Sequence, residues 1–173
     1  MPMKSENLYP ASKDLLNLVL SFFSRVDAKL SVVLAVDTAM LAVLAADAPP
    51  EKDFSWPMII FADITILLLG LSILFLYRGA FPSLKGGHAS LIYFREIARR
   101  TEHKFIEEFK AQTDEQVVGD LLGQVWRNSE ILKIKFDSLK VAFTLLALAI
   151  IPWVVSLAVF ATFNNPARTG LFH

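Results

Sequence analysis

Two carboxylates in otherwise apolar stretches are the most unusual chemical groups in this sequence. Asp37 lies within residues 30–46, and Asp63 lies within residues 56–77. A carboxylate in hydrocarbon costs about 3 kcal/mol or more, so it generally faces a partner or a water-filled cavity. Both lie at comparable distances from the polar turn between the stretches, and we expect them at one depth. They indicate either a polar path between helices or subunits, or hydrogen-bonded packing residues.

The sequence offers little else for catalysis or metal binding. There are no cysteines, which excludes disulfides, thiolate metal sites and a thiol nucleophile. His88, His103 and His173 are scattered, and none has a second histidine at metal-ligand spacing. No nucleophile elbow, phosphate-binding glycine loop or dinucleotide fingerprint is present. We therefore expect no enzyme, no metal site and no cofactor.

Aromatic and basic residues occur together between residues 78 and 140. Tyr93, Phe94 and Trp126 lie on predicted helices that also carry many cations. An aromatic face beside a cation suits a nucleotide, since the base stacks and the cation meets the phosphate. The alternative is that the aromatics pack in a core and the cations only determine topology. The 17 basic and 17 acidic residues balance, so no nucleic acid polymer is expected as a partner.

Three apolar stretches determine the predicted fold class. Hydrophobic residues make up 54% of the 173 residues, and the segments 30–46, 56–77 and 141–163 each predict a membrane span. The first covers roughly 26 Å, slightly less than the ~30 Å hydrocarbon core. An amphipathic helix with Ser12 as its N-cap is predicted to precede it, over residues 12–29. The chain is therefore predicted to be an all-α membrane protein.

The segment between the second and third spans is predicted to be a charged helical pair. Its first helix covers residues 90–112. Thr113 and Gln116 have the spacing of a capping box that starts the next helix, and no stop signal follows until residue 163. The third span is thus expected to continue the last helix of the pair, with a kink at Pro152. The predicted divisions are residues 1–29, 30–77, 78–140, 141–163 and 164–173.

Basic residues are distributed unevenly around the spans. Four precede the first span, Lys52 lies in the first loop and Arg168 follows the third span. The other eleven lie between the second and third spans: Arg78, Lys85, Arg95, Arg99, Arg100, Lys104, Lys110, Arg127, Lys133, Lys135 and Lys140. The positive-inside rule therefore predicts that the N-terminus and residues 78–140 are inside and the C-terminus outside.

Three motifs give the chain a family resemblance. Residues 124–142 resemble the C-terminal signature of the Pycsar transmembrane effectors, with Gln, an aromatic two positions later, Ser, Ile-Leu, Lys-aromatic, and then Leu and a basic residue at the membrane. Asp27 and Lys29 resemble the Asp-x-Lys entry to the first span of that family. Tyr93 and Phe94 resemble its aromatic pair in the helix after the hairpin. The similarity covers residues 25–160.

The resemblance implies a function and a location. Pycsar systems are two-component bacterial antiphage defences, in which a cyclase makes a cyclic pyrimidine mononucleotide on infection and an effector responds by damaging the inner membrane. The expected ligand is then cyclic UMP or cyclic CMP from a neighbouring cyclase, and a homo-oligomer is expected, with residues 78–140 in the cytoplasm and the C-terminus in the periplasm. The expected ligand contacts are Arg25, Lys29, Tyr93, Phe94, Trp126, Arg127, Ser129, Lys133 and Lys135.

Two other functions fit the composition. A membrane scaffold would recruit a cytosolic partner protein through its charged helices and would need no ligand. An ion-coupled transporter would use Asp37 and Asp63, but three spans without an internal repeat are few for such a protein.

Overall fold

The computed structural model describes residues 5–50, 55–81 and 89–164, and all regular secondary structure in these ranges is α-helical. The five helices are α1 (Ser5–Asp47), α2 (Trp56–Ala80), α3 (Phe94–Ile97), α4 (Glu102–Lys110) and α5 (Asp114–Asn164). Several expectations concern residues outside these ranges, namely those on residues 1–4, Lys52, the break at residues 82–88 with Lys85 and His88, and residues 165–173 with Arg168 and His173.

Three of these helices are long and apolar enough to cross a membrane. They are α1, α2 and α5, and the predicted spans 30–46, 56–77 and 141–163 lie within them. The all-helical membrane fold class is thereby confirmed. The helix of residues 114–164 is also continuous through Pro152, which lacks the N–H that would otherwise bond the carbonyl four residues earlier.

Helix α1 begins earlier than the sequence indicates. It starts at Ser5, so Ser12 lies inside the helix and the prediction of an N-cap there is wrong. The Ser12 hydroxyl instead donates to the Tyr9 carbonyl oxygen at 2.9 Å. Pro10 also lies within the helix, where its fixed φ is compatible with helical backbone although one hydrogen bond is lost. The amphipathic segment and the first span form one helix.

The predicted single helix over residues 90–112 is wrong, because the chain leaves the helical conformation twice. It is non-helical up to Tyr93 and again between α3 and α4. Thr101 ends the second interruption as the N-cap of α4, where its side chain accepts a hydrogen bond from the Lys104 N–H. The predicted capping box at the start of α5 is confirmed, since Thr113 and Gln116 exchange backbone-to-side-chain hydrogen bonds of 2.9 and 3.3 Å.

The described residues form two compact units. The charged unit comprises residues 5–27 and 89–135, and the spanning unit comprises residues 28–50, 55–81 and 136–164. Each has its own buried residues. In the charged unit they include Leu16, Val26, Leu91 and Leu121, which come from both of its chain segments.

Helix α2 runs antiparallel to α1 and α5 in the spanning unit. Three sets of neighbouring residues establish this order: Leu30, Gly79 and Ser138; Asp37, Ser72 and Ala142; and Leu44, Met58 and Phe160. Small residues at these positions let helix backbones approach closely, which is how helices associate in lipid, where water does not drive burial. Large apolar side chains such as Leu67 and Ile151 are exposed on the outside, as a lipid-facing surface requires.

Gly79 lies at a close contact between the three long helices. A Cβ added there would lie 3.0 Å from the Ser138 Cβ and 3.5 Å from a Leu30 methyl group, whereas one added at Gly70 of the same helix meets nothing within 4 Å. We expect Gly79→Ala to destabilise the fold by about 1–3 kcal/mol through overpacking. Gly70→Ala is expected to be neutral or to stabilise by up to ~1 kcal/mol, since alanine favours helix. Thermal unfolding of both purified variants in detergent measures the difference, and equal midpoints would contradict this packing.

Candidate functional site

Asp37 lies at the centre of the spanning unit and is fully buried. The Ser72 hydroxyl donates to its Oδ2 at 2.6 Å, and the same hydroxyl oxygen lies 3.1 Å from the carbonyl oxygen of Ala142. Within the described part of the chain, Asp37 Oδ1 has no hydrogen-bond partner. One contact therefore joins all three long helices, and it leaves one carboxylate oxygen unsatisfied in the interior.

Asp63 does not share the depth of Asp37, and that expectation is wrong. Because α2 is antiparallel to α1, Ser72 is the α2 residue level with Asp37, and Asp63 lies nine residues, or about 13 Å, further towards the turn. Asp63 is exposed and lines a surface cavity of about 360 Å³ beside Ala45 and Ala48, near the end of α1. The structure does not bring the two carboxylates together.

The charged unit is organised around Ser90, a buried residue in the non-helical segment before α3. The Ser90 Oγ accepts hydrogen bonds from the backbone N–H groups of Ile92 and Tyr93 and from the side-chain amide of Gln124. The Leu91 N–H donates to Asp120 Oδ2 at 2.8 Å. Side chains thus take the place of the helical carbonyls, which explains why no helix forms here. We refer to this arrangement as the Ser90 junction.

Arg100 also stabilises the Ser90 junction, by donating hydrogen bonds to backbone carbonyl oxygens. Its guanidinium donates to the carbonyl oxygens of Ala89 and Glu96 and forms an ion pair of 2.6 Å with Glu108. These bonds hold Ala89 at a φ of 63°, a left-handed conformation that costs an L-residue about 1–2 kcal/mol. One arginine therefore satisfies several backbone carbonyls that no helix satisfies.

Tyr93 and Phe94 follow the junction directly. Their ring centroids are 5.0 Å apart in an edge-to-face arrangement, which aromatic pairs prefer. The Phe94 side chain is exposed, whereas Tyr93 is partly buried. The junction thus presents an aromatic pair at the surface of the charged unit, with the backbone beneath it fixed by side-chain hydrogen bonds.

Three of the expected ligand contacts lie on one exposed face of α5. Trp126, Ser129 and Lys133 are all exposed, and their i, i+3, i+7 spacing places them on one side of a helix. Trp126 is 65% exposed, an unusual exposure for so large an aromatic side chain. We call these three residues the outer face. Its three residues lie about 140–200° around the helix from Gln124, which is buried at the Ser90 junction.

The remaining expected contacts are in other places. Arg127 is partly buried and pairs with Glu130 at 2.8 Å, while its Nε is buried and has no hydrogen-bond partner among the described residues. Arg25 is exposed with its guanidinium 5.3 Å from the Phe22 ring. Lys29 belongs to the spanning unit and lines a cavity there. The nine residues therefore do not form one pocket within either unit.

Lys135 is buried in the charged unit, where an exposed ligand contact was expected. Its side chain is 7% exposed and its Nζ donates to Asp27 Oδ1 at 2.7 Å, whereas the Asp27 side chain is 51% exposed. The ring of Phe23 lies 6.0 Å from the same ammonium group, within the distance of a cation–π interaction. The pair fastens α1 to α5.

Sequence reasoning missed the residues that build the Ser90 junction. The sequence places Ser90 and Arg100 in a predicted helix and Gln124 in a motif, each without a partner, and Asp120 was not singled out. The signal was the spacing of Asp120 and Gln124, because two polar residues at i and i+4 lie on one helix face. That face also carries buried Leu121, so both polar side chains point inwards and require partners.

The Lys135–Asp27 pair generates a prediction about stability. Asp27→Ala leaves a buried ammonium group without this carboxylate, and we expect a loss of about 1–3 kcal/mol. Lys135→Met removes the buried charge while the exposed carboxylate regains water, so we expect a smaller loss. Lys133→Met, an exposed lysine of the same helix, is expected to change stability by less than ~0.5 kcal/mol. Thermal unfolding in detergent compares the three, and a larger loss in Lys135→Met than in Asp27→Ala would contradict this account.

Comparison with known proteins gives one match. The family model PycTM, described as the Pycsar effector protein domain, matches residues 11–162. No curated protein and no solved structure matches the chain. The matched segment contains the whole Ser90 junction. It also contains all three long apolar helices, except for the first residues of α1 and the last residues of α5. The chain therefore belongs to the Pycsar effector transmembrane domain family.

Proposed function

We propose that the chain is the effector of a two-component Pycsar antiphage defence system. In this proposal a partner cyclase makes a cyclic pyrimidine mononucleotide, cyclic UMP or cyclic CMP, and the effector responds by impairing the inner membrane, which causes abortive infection. The observation that carries the proposal is the family match over residues 11–162 of a chain with three apolar helices. The effector acts without catalysis in this proposal, and it needs no cofactor.

The outer face of α5 is the proposed ligand site. Its residues extend over seven positions, or about 10 Å of helix, which matches the size of a mononucleotide. The exposed indole of Trp126 offers a stacking surface for a base. The ammonium group of Lys133, which is exposed, supplies a cation for the phosphate. A cyclic phosphate diester carries one negative charge, so one or two cations are enough.

The proposed coupling runs along α5. This helix contributes the outer face to the charged unit and also provides the third span. A ligand bound at Trp126 therefore touches the same helix that crosses the membrane. The ligand shifts the protein towards an active state only if it binds that state more tightly than the resting one. Tyr93 and Phe94 are a second stacking surface that such a state can use.

The proposed output is a polar path that several copies form together. Three spans are too few for a wide pore, so the proposal includes a homo-oligomer. Asp37 is the residue best placed for the path, because its Oδ1 is unsatisfied in the interior of the spanning unit among the described residues. Asp63 lies at the surface near the end of α1 and is not needed for a path at the depth of Asp37.

The proposed topology follows the distribution of cations. The charged unit carries most of the basic residues, so we place it in the cytoplasm, where the cyclase makes the nucleotide. The N-terminus then lies in the cytoplasm and the C-terminus in the periplasm. The alternative remains a membrane scaffold that recruits a cytosolic protein to the same cations without a ligand. Calorimetry with cyclic UMP and cyclic CMP separates the two, because a scaffold gives no binding heat.

Dye leakage from liposomes that contain the full-length protein tests the proposed activity. We expect leakage on addition of cyclic UMP or cyclic CMP but not of cyclic AMP. Trp126→Ala removes the stacking surface, and we expect at least a ~10-fold higher nucleotide concentration for half-maximal leakage. Trp56→Ala removes a still more exposed tryptophan at the start of α2 and is expected to leave the nucleotide dependence unchanged.

Two results would contradict this proposal. Absence of leakage with every cyclic nucleotide would exclude the activity. Equal effects of Trp126→Ala and Trp56→Ala would exclude the outer face as the ligand site while leaving the activity itself in place.

The polar path has its own test. Asp37→Asn keeps the side-chain volume and an oxygen that accepts from Ser72 but removes the ionisable group, and we expect nucleotide-dependent leakage and toxicity in cells to fall at least ~10-fold. Asp63→Asn makes the same change at the exposed position and is expected to have little effect. Both variants must insert in the membrane at wild-type levels. Unchanged toxicity of Asp37→Asn would exclude Asp37 from the path.

A further inference from the structure

A groove with apolar walls opens between α1 and α5 in the spanning unit. Its volume is about 570 Å³, within the ~300–1,000 Å³ typical of small-molecule sites. The walls are apolar and include Val32, Phe136 and Phe143, whereas the charged lining residues are Lys29 and Lys140. Among the residues that the structure describes, no carboxylate lines it. The groove thus combines a hydrocarbon-like wall with two cations.

The two lysines occupy equivalent positions at the start of apolar segments. Lys29 directly precedes residues 30–46, and Lys140 directly precedes residues 141–163. Because α1 and α5 run in the same direction, both lysines lie at the same end of the spanning unit. Both are exposed, and neither forms an ion pair with any carboxylate of residues 5–50, 55–81 or 89–164.

The boundary of the hydrocarbon core is expected at this level. Lysines at the ends of membrane spans extend their ammonium groups to the phospholipid headgroups. The apolar walls at Val32 and Phe143 lie one turn further into the spans, at the depth of acyl chains. Two like charges beside one groove repel each other, so an anion between them stabilises both.

We propose that this groove binds one anionic phospholipid. An acyl chain lies against Val32, Phe136 and Phe143, and the phosphate and acidic headgroup contact Lys29 and Lys140. A zwitterionic lipid fits less well because its own ammonium group competes with the lysines for the phosphate. The proposal assigns Lys29 to a lipid headgroup rather than to the cyclic nucleotide, and it does not rest on the proposed nucleotide response.

Native mass spectrometry of the full-length protein in detergent tests the preference. The protein is titrated with dioleoyl phosphatidylglycerol and with dioleoyl phosphatidylcholine. We expect the first phosphatidylglycerol to bind about tenfold or more tightly, since each lysine near an anionic headgroup contributes about one factor of five. Lys29→Gln with Lys140→Gln is expected to reduce the preference to within about twofold, and Lys29→Arg with Lys140→Arg to retain it.

Arg78→Gln is the matched control. Arg78 is exposed and adjoins Gly79, which packs against Leu30 and Ser138, so it lies at the same end of the spanning unit but outside the groove. This variant is expected to keep the preference. Equal binding of both lipids by the wild type would overturn the proposal, as would a loss of preference in Arg78→Gln as large as in the double glutamine variant.

A third measurement tests the apolar half of the site. Glycerol 3-phosphate carries the phosphate without acyl chains, and millimolar concentrations are expected not to displace bound phosphatidylglycerol. Displacement would mean that the groove walls contribute nothing, and it would overturn the proposal. None of these measurements uses a cyclic nucleotide, so the lipid site and the proposed function can fail separately.

Discussion

A buried carboxylate must be satisfied where no water is available, and in the spanning unit this requirement joins the three long helices. Asp37 accepts a hydrogen bond from Ser72, whose oxygen also lies near the Ala142 carbonyl. Apolar contacts alone specify the register of helices in lipid only weakly, because one apolar side chain replaces another at little cost. A hydrogen bond between two particular side chains, by contrast, forms in only one register of the helices. The level of Asp37 therefore determines which residues of α2 and α5 meet above and below it.

The charged unit also has buried polar groups that need hydrogen-bond partners. There the groups belong to the backbone, and side chains are the partners. In the spanning unit a side chain is buried among helices whose backbone is already bonded. At the Ser90 junction the backbone lacks helical hydrogen bonds, and the side chains of Ser90, Arg100 and Asp120 satisfy it. The Gln124 amide in turn donates to the Ser90 hydroxyl oxygen. A buried polar group that lacks its partner costs about 1–3 kcal/mol. Both units are thus specified more by where polar groups are satisfied than by the volume of their apolar cores.

The sequence was sufficient for features that depend on composition and failed where partners are distant. Apolar length predicted the three spans, and Thr113 with Gln116 predicted the start of α5, because these signals are local. The interruption before Tyr93 was missed because it depends on Gln124, 34 residues away from Ser90. Lys135 appeared to be a surface cation, since its partner Asp27 lies 108 residues earlier. Grouping Trp126 with Lys135 by their motif also ignored that helix geometry turns them to different sides.

The unequal exposure of Lys135 and Asp27 has a consequence for ionic conditions. Water and dissolved ions reach the carboxylate, which is half exposed, but they scarcely reach the ammonium group. Added salt screens exposed charges far more than buried ones. In the ion pair that connects α1 and α5 in the charged unit, only the carboxylate therefore responds to the ionic strength of the solution. In concentrated salt, water and dissolved cations solvate the Asp27 carboxylate and weaken the pair. The Lys135 ammonium group, however, remains buried without a hydration shell.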